Sequence, residues 1–434
     1  MAQDMDASPN DAPARSVTPY TWLMLVLLTL TFILGQIDRQ LVANLAEPIK
    51  RDLQLSDTEL GLLTGSLFAL FYSLMGIPVA AVADRGRRVT IIGVACILWS
   101  SFTAMFGVAQ SFVQLALARI GVAASEAGCA APSLALLGDL FPPGRRGLAL
   151  GIFLLGVPIG SALALALGSW IAIAHDWHAA FLALGAAGII NGVLFLIIAR
   201  EPARGSSALS DRPAKIPIRQ TLAMMARHRP LRFMIAGSVA SSLVLYGLIA
   251  WSPAYLMRRH AVTLAELGMY YSVAVGLALS ISTITSGLIL DYGLRISKRF
   301  YAIFPGIAML LSLPVLLGSL LTTDWRLAML LLALVQMLTF IQAPIFALVQ
   351  DRFPSEQRGV ATASILLLQN AVAVGLGPLA MGAISDLSSG GSHGASLQIA
   401  MFSLCPICVF AAVMFGLADR ALRNEHVMNT PESL

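Results

Sequence analysis

Two charged residues, Arg119 and Glu126, lie inside an apolar stretch, Ala118–Pro132 (ARIGVAASEAGCAAP). Seven residues apart, they share one helical face, ~10 Å along the axis. A charge at bilayer depth costs at least ~2.5–3.5 kcal/mol on insertion scales. Such a pair persists only where it faces protein or water, and there it marks a path for ions or cargo. Ala118, Gly121, Ala123, Ala124, Ala127 and Gly128 leave room around it for close helix neighbours. Asp38, in a separate apolar stretch, is a second carboxyl at about the depth of Arg119. A carboxyl that gains or loses a cationic partner changes its proton affinity. The expected chemistry is therefore proton coupling, with Glu126 as carrier, Arg119 as its switchable partner and Asp38 as the competing acid. The alternative is a static buried network that only aligns helices. Arg39, beside Asp38, is expected to point elsewhere and snorkel outward.

The elements that must hold these groups are membrane helices. The 434 residues are 57% hydrophobic and 12% charged, against about 25% charged in an ordinary soluble domain. Apolar runs near the ~20 residues needed to span a bilayer recur over 20–45, 58–83, 89–109, 112–138, 147–172, 178–199, 231–257, 266–290, 300–322, 326–349, 358–386 and 396–418. This predicts an all-α multi-pass membrane protein of about twelve helices in two six-helix bundles. The expected divisions are a disordered cytoplasmic leader 1–19, an N-terminal bundle 20–200, a cytoplasmic linker 201–230, a C-terminal bundle 231–420 and a cytoplasmic tail 421–434. Ile218–Met225 in the linker is expected as a short surface helix near anionic lipid. Of the 28 Lys and Arg, Lys50, Arg51, Arg258, Arg259 and Arg326 fall on one side and Arg39 and Arg119 within helices; the rest fall on the side of the termini. That asymmetry predicts both termini in the cytoplasm, in a bacterial inner cell membrane. The leader is polar, and no cleavable signal is expected. Cys405 and Cys408 form a CxxC inside an apolar run and are expected to be inert.

An internal repeat supports the two bundles. Asp139-Leu-Phe-Pro-Pro-Gly-Arg-Arg-Gly147 matches Asp351-Arg-Phe-Pro-Ser-Glu-Gln-Arg-Gly359 without a gap, at an offset of 212. Asp84…Arg88 is echoed by Asp291…Arg295 at an offset of 207. Parallel repeats of this kind are a transporter architecture with cargo held at the repeat interface. Gly61–Gly65, Gly156–Gly160 and Gly188–Gly192 are GxxxG pairs that suit tight helix crossings. Gly156-Val-Pro-Ile-Gly160 and Gly375-Leu-Gly-Pro378 suit rocking helices.

Ala80–Arg88, AAVADRGRR, resembles the major facilitator superfamily, whose loop between helices 2 and 3 reads G-x-x-x-D-R-x-G-R; Asp84, Arg85 and Arg88 match, and Ala80 and Arg87 replace the glycines. The resemblance implies that Asp84, Arg85 and Arg88, with Asp291 and Arg295, form a cytoplasmic gate of charge pairs with the facing half. Gln36–Leu41, Glu47–Leu53, Leu55–Gly65, Ala118–Gly128 and Phe141–Gly147 look like the spinster-like branch. That resemblance implies proton coupling through Asp38, Arg119 and Glu126. Animal members of the branch carry lysophospholipids or sphingoid lipids.

For cargo contacts the sequence offers Arg119 and Glu126 on one side, and Tyr246, Trp251, Gln336, Gln342, Gln369 and Asn370 on the other. A cavity charged on one wall and apolar or aromatic on the other suits an amphipathic or lipid-like organic molecule. The alternative cargo is a small organic or aromatic carboxylate held by Arg119. No nucleophile–base set, P-loop, dinucleotide fingerprint or zinc spacing is present, and no histidine has metal-ligand company. The expectation is thus a secondary active transporter and not an enzyme, working as a monomer by alternating access. It is expected to need no cofactor, bind no metal or nucleic acid, and draw on the proton gradient, with protons, membrane lipids and the cargo as its partners. A passive channel or a non-transporting receptor is the alternative of another class.

Overall fold

The computed structural model describes residues 18–202, 218–388 and 393–429. Among the described residues the chain is helical, with no strand. Twelve helices have the length and apolarity to cross a membrane: α1 (Pro19–Asn44), α2 (Asp57–Gly76), α3 (Arg88–Phe106), α4 (Phe112–Leu140), α5 (Gly144–Ala174), α6 (Trp177–Ile198), α7 (Arg229–His260), α8 (Leu264–Ile296), α9 (Phe300–Leu321), α10 (Trp325–Arg352), α11 (Gln357–Leu387) and α12 (Gly394–Glu425). They pack as two bundles, α1–α6 and α7–α12. Both ends of the described chain emerge on one side, the terminal face. The other side is the distal face.

Local chemistry sets the helix starts. Thr18 and Thr21 form a capping box at α1, Ser56 and Glu59 one at α2, and Thr263 and Glu266 one at α8. The last two lie 207 residues apart, so the echo seen at Asp84 and Asp291 holds from one end of α2 and α8 to the other. A π-helical segment follows each box, Leu62–Ser66 and Leu267–Tyr271.

The glycine pairs mark close crossings. A Cβ at Gly185 or Gly192 would stand 2.7 Å from atoms of α3, and one at Gly160 would stand 2.6 Å from Gln36 of α1. Gly61 and Gly65 cross between the bundles, where added Cβ atoms would lie 2.6 Å from the Pro378 oxygen and 2.5 Å from the Val374 oxygen. Ser66 Oγ donates to the Gly375 oxygen at the same crossing, 2.5 Å away. The second crossing is α5 on α8, where Gly268 faces Ser169 and Gly276 faces Ala162. Packing between the bundles is concentrated at these crossings and distal to them. The terminal segments Ala130–Leu140, Pro143–Leu154, Ala343–Arg352 and Ser355–Gln369 pack within their own bundles. The halves therefore part towards the terminal face.

On that face the offset-212 repeat is a repeat of geometry. Arg146 Nε donates to the Phe141 oxygen and Arg358 Nε to the Phe353 oxygen, both at 2.9 Å.

Several boundaries differ from those read in the sequence. Most of the leader 1–19 and half of the linker 201–230 lie outside the described residues. Within the linker Ile218–Arg227 is helical, with Thr221 and Met225 buried. The last helix continues to Asn429 where a tail was expected from 421. Arg352 Nη1 stands 3.1 Å from Glu425 Oε2 and ties that extension to α10.

Candidate functional site in the cleft between the bundles

α1 and α4 bring four charges together. Asp38 and Arg39 are successive residues of α1. Arg119 lies in the distal segment of α4, and Glu126 ends it: α4 breaks at Ala127–Cys129 into helices Phe112–Glu126 and Ala130–Leu140. Asp38 Oδ1 accepts a hydrogen bond from Thr103 Oγ1 of α3 at 2.6 Å. Its Oδ2 is 3.9 Å from Arg119 Nη1 and has no hydrogen-bond partner. Arg119, 2% exposed, spends its donors on carbonyls: Nε on Leu63 at 3.0 Å, Nη1 on Asp38 at 3.4 Å and Nη2 on Arg39 at 3.3 Å. Leu63 belongs to the π-helical segment of α2, a local geometry found often at functional positions.

Glu126 is paired with Arg39. Arg39 Nε is 2.7 Å from Glu126 Oε1, while Glu126 Oε2 is buried without a hydrogen-bond partner. The outward snorkelling expected of Arg39 does not occur, because successive helical residues point ~100° apart and here that turns Arg39 into the cleft. Its guanidinium lies over Tyr72 at 4.7 Å and Phe68 at 4.9 Å; that of Arg119 lies over Phe68 at 4.7 Å. These aromatic faces add cation–π attraction. Arg119, expected as the partner of Glu126, stands beside Asp38 instead.

Arg39 and Arg119 line a cavity of about 1050 Å³ of empty space, counting its open part, while Asp38 and Glu126, the latter expected as a cargo contact, stand behind that wall. The N-terminal bundle contributes Gln36, Arg39, Gln40, Thr64 and Arg119. The C-terminal bundle contributes Leu245, Tyr246, Ile249, Phe340, Val374 and Asn370. The first wall also holds Phe68, Ala69, Tyr72 and Val157, so it carries the cavity's cations among aromatic and apolar groups, while the other wall is largely apolar. Trp251, Gln342 and Gln369 stand behind the second wall. Trp251 Nε1 donates to the Pro378 oxygen at 3.0 Å. Gln369 Nε2 donates to Ser238 Oγ at 2.6 Å and to Gln342 Oε1 at 3.1 Å. Gln336 donates to the Tyr271 hydroxyl at 2.7 Å. Amides at this depth pair with one another because lipid offers nothing else.

The expected terminal gate is arranged otherwise than as pairs across the halves. The side chains of Asp84 and Arg85 lie outside the described residues. Arg88 pairs inside its own bundle, with Asp139 at 2.6 Å and Glu201 at 3.4 Å. Asp291 and Arg295 are exposed, and neither forms an ion pair among the described residues. The helix that ends at Arg85 in the first half continues about one turn further in α8, to Ile296, and the place of Arg88 is taken by Lys298, 3.1 Å from Asp351.

The sequence reading missed a clasp on the distal face. Arg258 of α7 reaches Glu47 at 2.6 Å and Asp57 at 2.7 and 2.8 Å. Lys50 also pairs with Asp57. Asp386 of α11 accepts from the backbone N–H of Asp57 at 3.1 Å and of Thr58 at 2.8 Å, at the start of α2. Opposite charges gathered on the side otherwise poor in Lys and Arg were the available signal. Among the described residues no group of three His, Cys, Asp or Glu side chains could hold a metal ion.

The Major Facilitator Superfamily model matches residues 27–378. An MFS-type efflux pump of Mycolicibacterium smegmatis is 32% identical over 431 residues, covering 98% of this chain and 97% of that one. A hexuronate transporter of Bacillus subtilis is 25% identical over 418 residues, 91% of this chain and 95% of that one. The crystal structure of a bacterial homologue of the human lysosomal transporter spinster, inward-facing and unoccupied, superposes with a TM-score of 0.85 at 27% identity, covering 94% of this chain and 99% of that one.

Proposed function

Because the chain belongs to the major facilitator superfamily, in its spinster-like branch, we propose that it is a proton-coupled secondary active transporter of an amphipathic organic molecule with an acidic head. Transport, not catalysis, is the work of its cleft. The observation that carries the reading is the pair Arg39–Glu126 at 2.7 Å, whose arginine lines the cavity, beside two buried carboxyl oxygens, Asp38 Oδ2 and Glu126 Oε2, that have no hydrogen-bond partner. Such an oxygen has a place for a proton. With both carboxyls ionised, the four groups Asp38, Arg39, Arg119 and Glu126 sum to zero charge. One proton leaves a net positive charge in a site of low dielectric, which favours an anionic head beside Arg39. The apolar wall of Leu245, Ile249, Phe340 and Val374 then takes the tail.

Alternating access follows from the same geometry. The distal clasp holds one side shut while the terminal segments stand apart, the inward-facing state if the Lys and Arg asymmetry sets orientation. Both termini are then cytoplasmic and the bacterial inner membrane is the location. Asp84, Arg85, Arg88, Asp291 and Arg295 become the gate that forms when the terminal face closes. The cavity walls both come from one chain, so a monomer suffices, and the proton gradient supplies the energy without a cofactor.

A second cargo, a small carboxylate, is favoured by the hexuronate transporter among the relatives. Counterflow in proteoliposomes separates the readings. Vesicles preloaded with an acidic lysophospholipid should take up its labelled form saturably and faster than empty ones, and glucuronate should not compete. Acceleration by glucuronate alone would transfer the proposal to the carboxylate, and absence of counterflow with either would indicate a channel or a receptor.

A further inference from the structure

We propose that a second cavity, on the terminal face, binds the phosphate head of an anionic phospholipid from the adjoining leaflet. It lies where the surface helix Ile218–Arg227 meets the start of α7 and the end of α12. It holds about 880 Å³ of empty space, counting its open part, and is lined by Met224, Arg227, His228, Arg229, Asn424 and Glu425, among others. It is separate from the central cleft, and its assignment does not depend on which cargo the cleft carries.

The charge balance of the cavity favours an anion. Its one carboxylate, Glu425, is engaged by Arg352 at 3.1 Å and stands 3.8 Å from His228 Nε2. His228 Nδ1 is occupied as acceptor of the Leu231 N–H at 3.2 Å. Arg227 and Arg229 are exposed, and neither has a carboxylate partner among the described residues. Arg420 and Arg423, also exposed, add to the field from α12.

Depth and surroundings point to a lipid. Arg229 begins α7 and Glu425 lies in the last turns of the final helix, which runs to Asn429, so the cavity sits at the level of the head groups. Asn424 lies on one face of α12 with Arg420, Gly416, Val413 and Phe410, each three or four residues on. Phe410 and Val413 are 49% and 50% exposed, and a Cβ added at Gly416 would meet nothing within 4 Å. Beyond Arg420 this face is exposed and apolar, running from the basic cavity towards mid-membrane, where an acyl chain can lie along it. Basic cavities beside membrane helices on the Lys- and Arg-rich side recognise anionic heads.

The test is thermal unfolding of the full chain in micelles doped with phosphatidylglycerol or with phosphatidylcholine. Phosphatidylglycerol should raise Tm by several degrees over phosphatidylcholine. That difference should fall by more than half in R227Q/R229Q and persist in R87Q/R145Q, which removes two exposed cations from the same face of the other bundle. Retention of the full difference in R227Q/R229Q, or equal losses in both double variants, would overturn the proposal. So would reproduction of the shift by millimolar inorganic phosphate in phosphatidylcholine micelles, which would make this a free-anion site. If R227Q/R229Q does not fold, native mass spectrometry of the wild type and the single variants gives the same decision: phosphatidylglycerol adducts must outnumber phosphatidylcholine adducts in the wild type and lose that excess in R227Q and R229Q.

Discussion

Replacing Glu126 by Gln keeps the shape of the side chain and removes its proton chemistry. In the structure Glu126 Oε1 accepts from Arg39 Nε at 2.7 Å; a Gln oxygen can accept the same bond. Breaking a fully buried ion pair costs ~3–5 kcal/mol. Arg39 is 28% exposed to the cleft and keeps its contacts with Phe68 and Tyr72, so a loss of about 1–2 kcal/mol is expected, within what a folded protein of this size tolerates. The effect on coupling is much larger. One pH unit across the membrane is worth ~1.4 kcal/mol per proton, or about tenfold accumulation for one proton per cargo. In proteoliposomes with one pH unit imposed, the wild type should concentrate cargo up to about tenfold. E126Q should stop at equal concentrations on the two sides, while counterflow without a gradient continues at a comparable rate. Gradient-driven accumulation by E126Q would refute the assignment of Glu126 as proton carrier. Loss of counterflow together with accumulation, in a variant that still unfolds cooperatively, would show that the pair only aligns helices.

Three further outcomes test the frame around the site. R258Q removes the arginine that holds Glu47 and Asp57, so a cysteine placed at Gln40 on the cavity wall should become reactive to an impermeant maleimide from the distal side; unchanged labelling would show that the clasp does not seal that face. G65V puts a branched side chain against the Val374 oxygen, 2.5 Å from the position of its Cβ; transport should fall at least tenfold with the folded fraction largely kept, since the wedge acts between bundles, and wild-type rates would deny α2–α11 a role as pivot. Burial, with the charge of Arg352 adding to it and Glu425 opposing, holds the His228 imidazole below the ordinary histidine range; as the folded value is the depressed one, stability should fall as pH drops through the unfolded value of ~6.5, and H228Q should show less loss of Tm than the wild type between pH 7.5 and 5.5.

Much of the architecture was legible because lipid allows so few solutions. A chain of apolar runs near twenty residues must be helices, and the gapless match of Asp139–Gly147 with Asp351–Gly359 marks the repeat in the sequence itself. The glycine pairs were legible too, since close crossings in a membrane need small residues. What periodicity could not convey is which helix face meets which neighbour. Asp38 and Arg39 diverge around α1 as expected, yet both directions lead into protein, so Arg39 met Glu126 instead of lipid. The amides Gln342 and Gln369 looked like cargo contacts because sequence does not reveal that Ser238 and Ser242 stand opposite them. Arg88 and Arg295 share a register, but a longer α8 carries Arg295 into a helical turn and leaves Lys298 to face Asp351. The distal clasp was hidden for another reason: Glu47, Lys50, Asp57, Arg258 and Asp386 are scattered over the chain, and only the fold gathers them.

The two bundles share one frame and differ where the chemistry sits. α4 and α10 break at corresponding levels, after Glu126 and after Thr339. In α10 serines from neighbouring helices hold the break: Ser241 donates to the Thr339 oxygen at 2.9 Å, and Ser282 to the Met337 and Phe340 oxygens at 2.8 and 2.9 Å. In α4 the corresponding turn is held by its own backbone, Gly128 N–H to the Ser125 oxygen at 3.2 Å and Cys129 N–H to the Glu126 oxygen at 3.1 Å. The α10 break is thus pinned from outside by two neutral hydroxyls, whereas the only side-chain tie from another helix at the α4 break, among the described residues, is the ionisable pair of Glu126 with Arg39 of α1. The titratable carboxyl thus ends the distal segment of the less restrained helix, and the segment beyond it, Ala130–Leu140, carries Asp139 to the terminal face. If Glu126 carries the proton as proposed, a change of its charge has a direct mechanical outlet there, and the C-terminal bundle, with no charged side chain lining the cavity, has no counterpart to it.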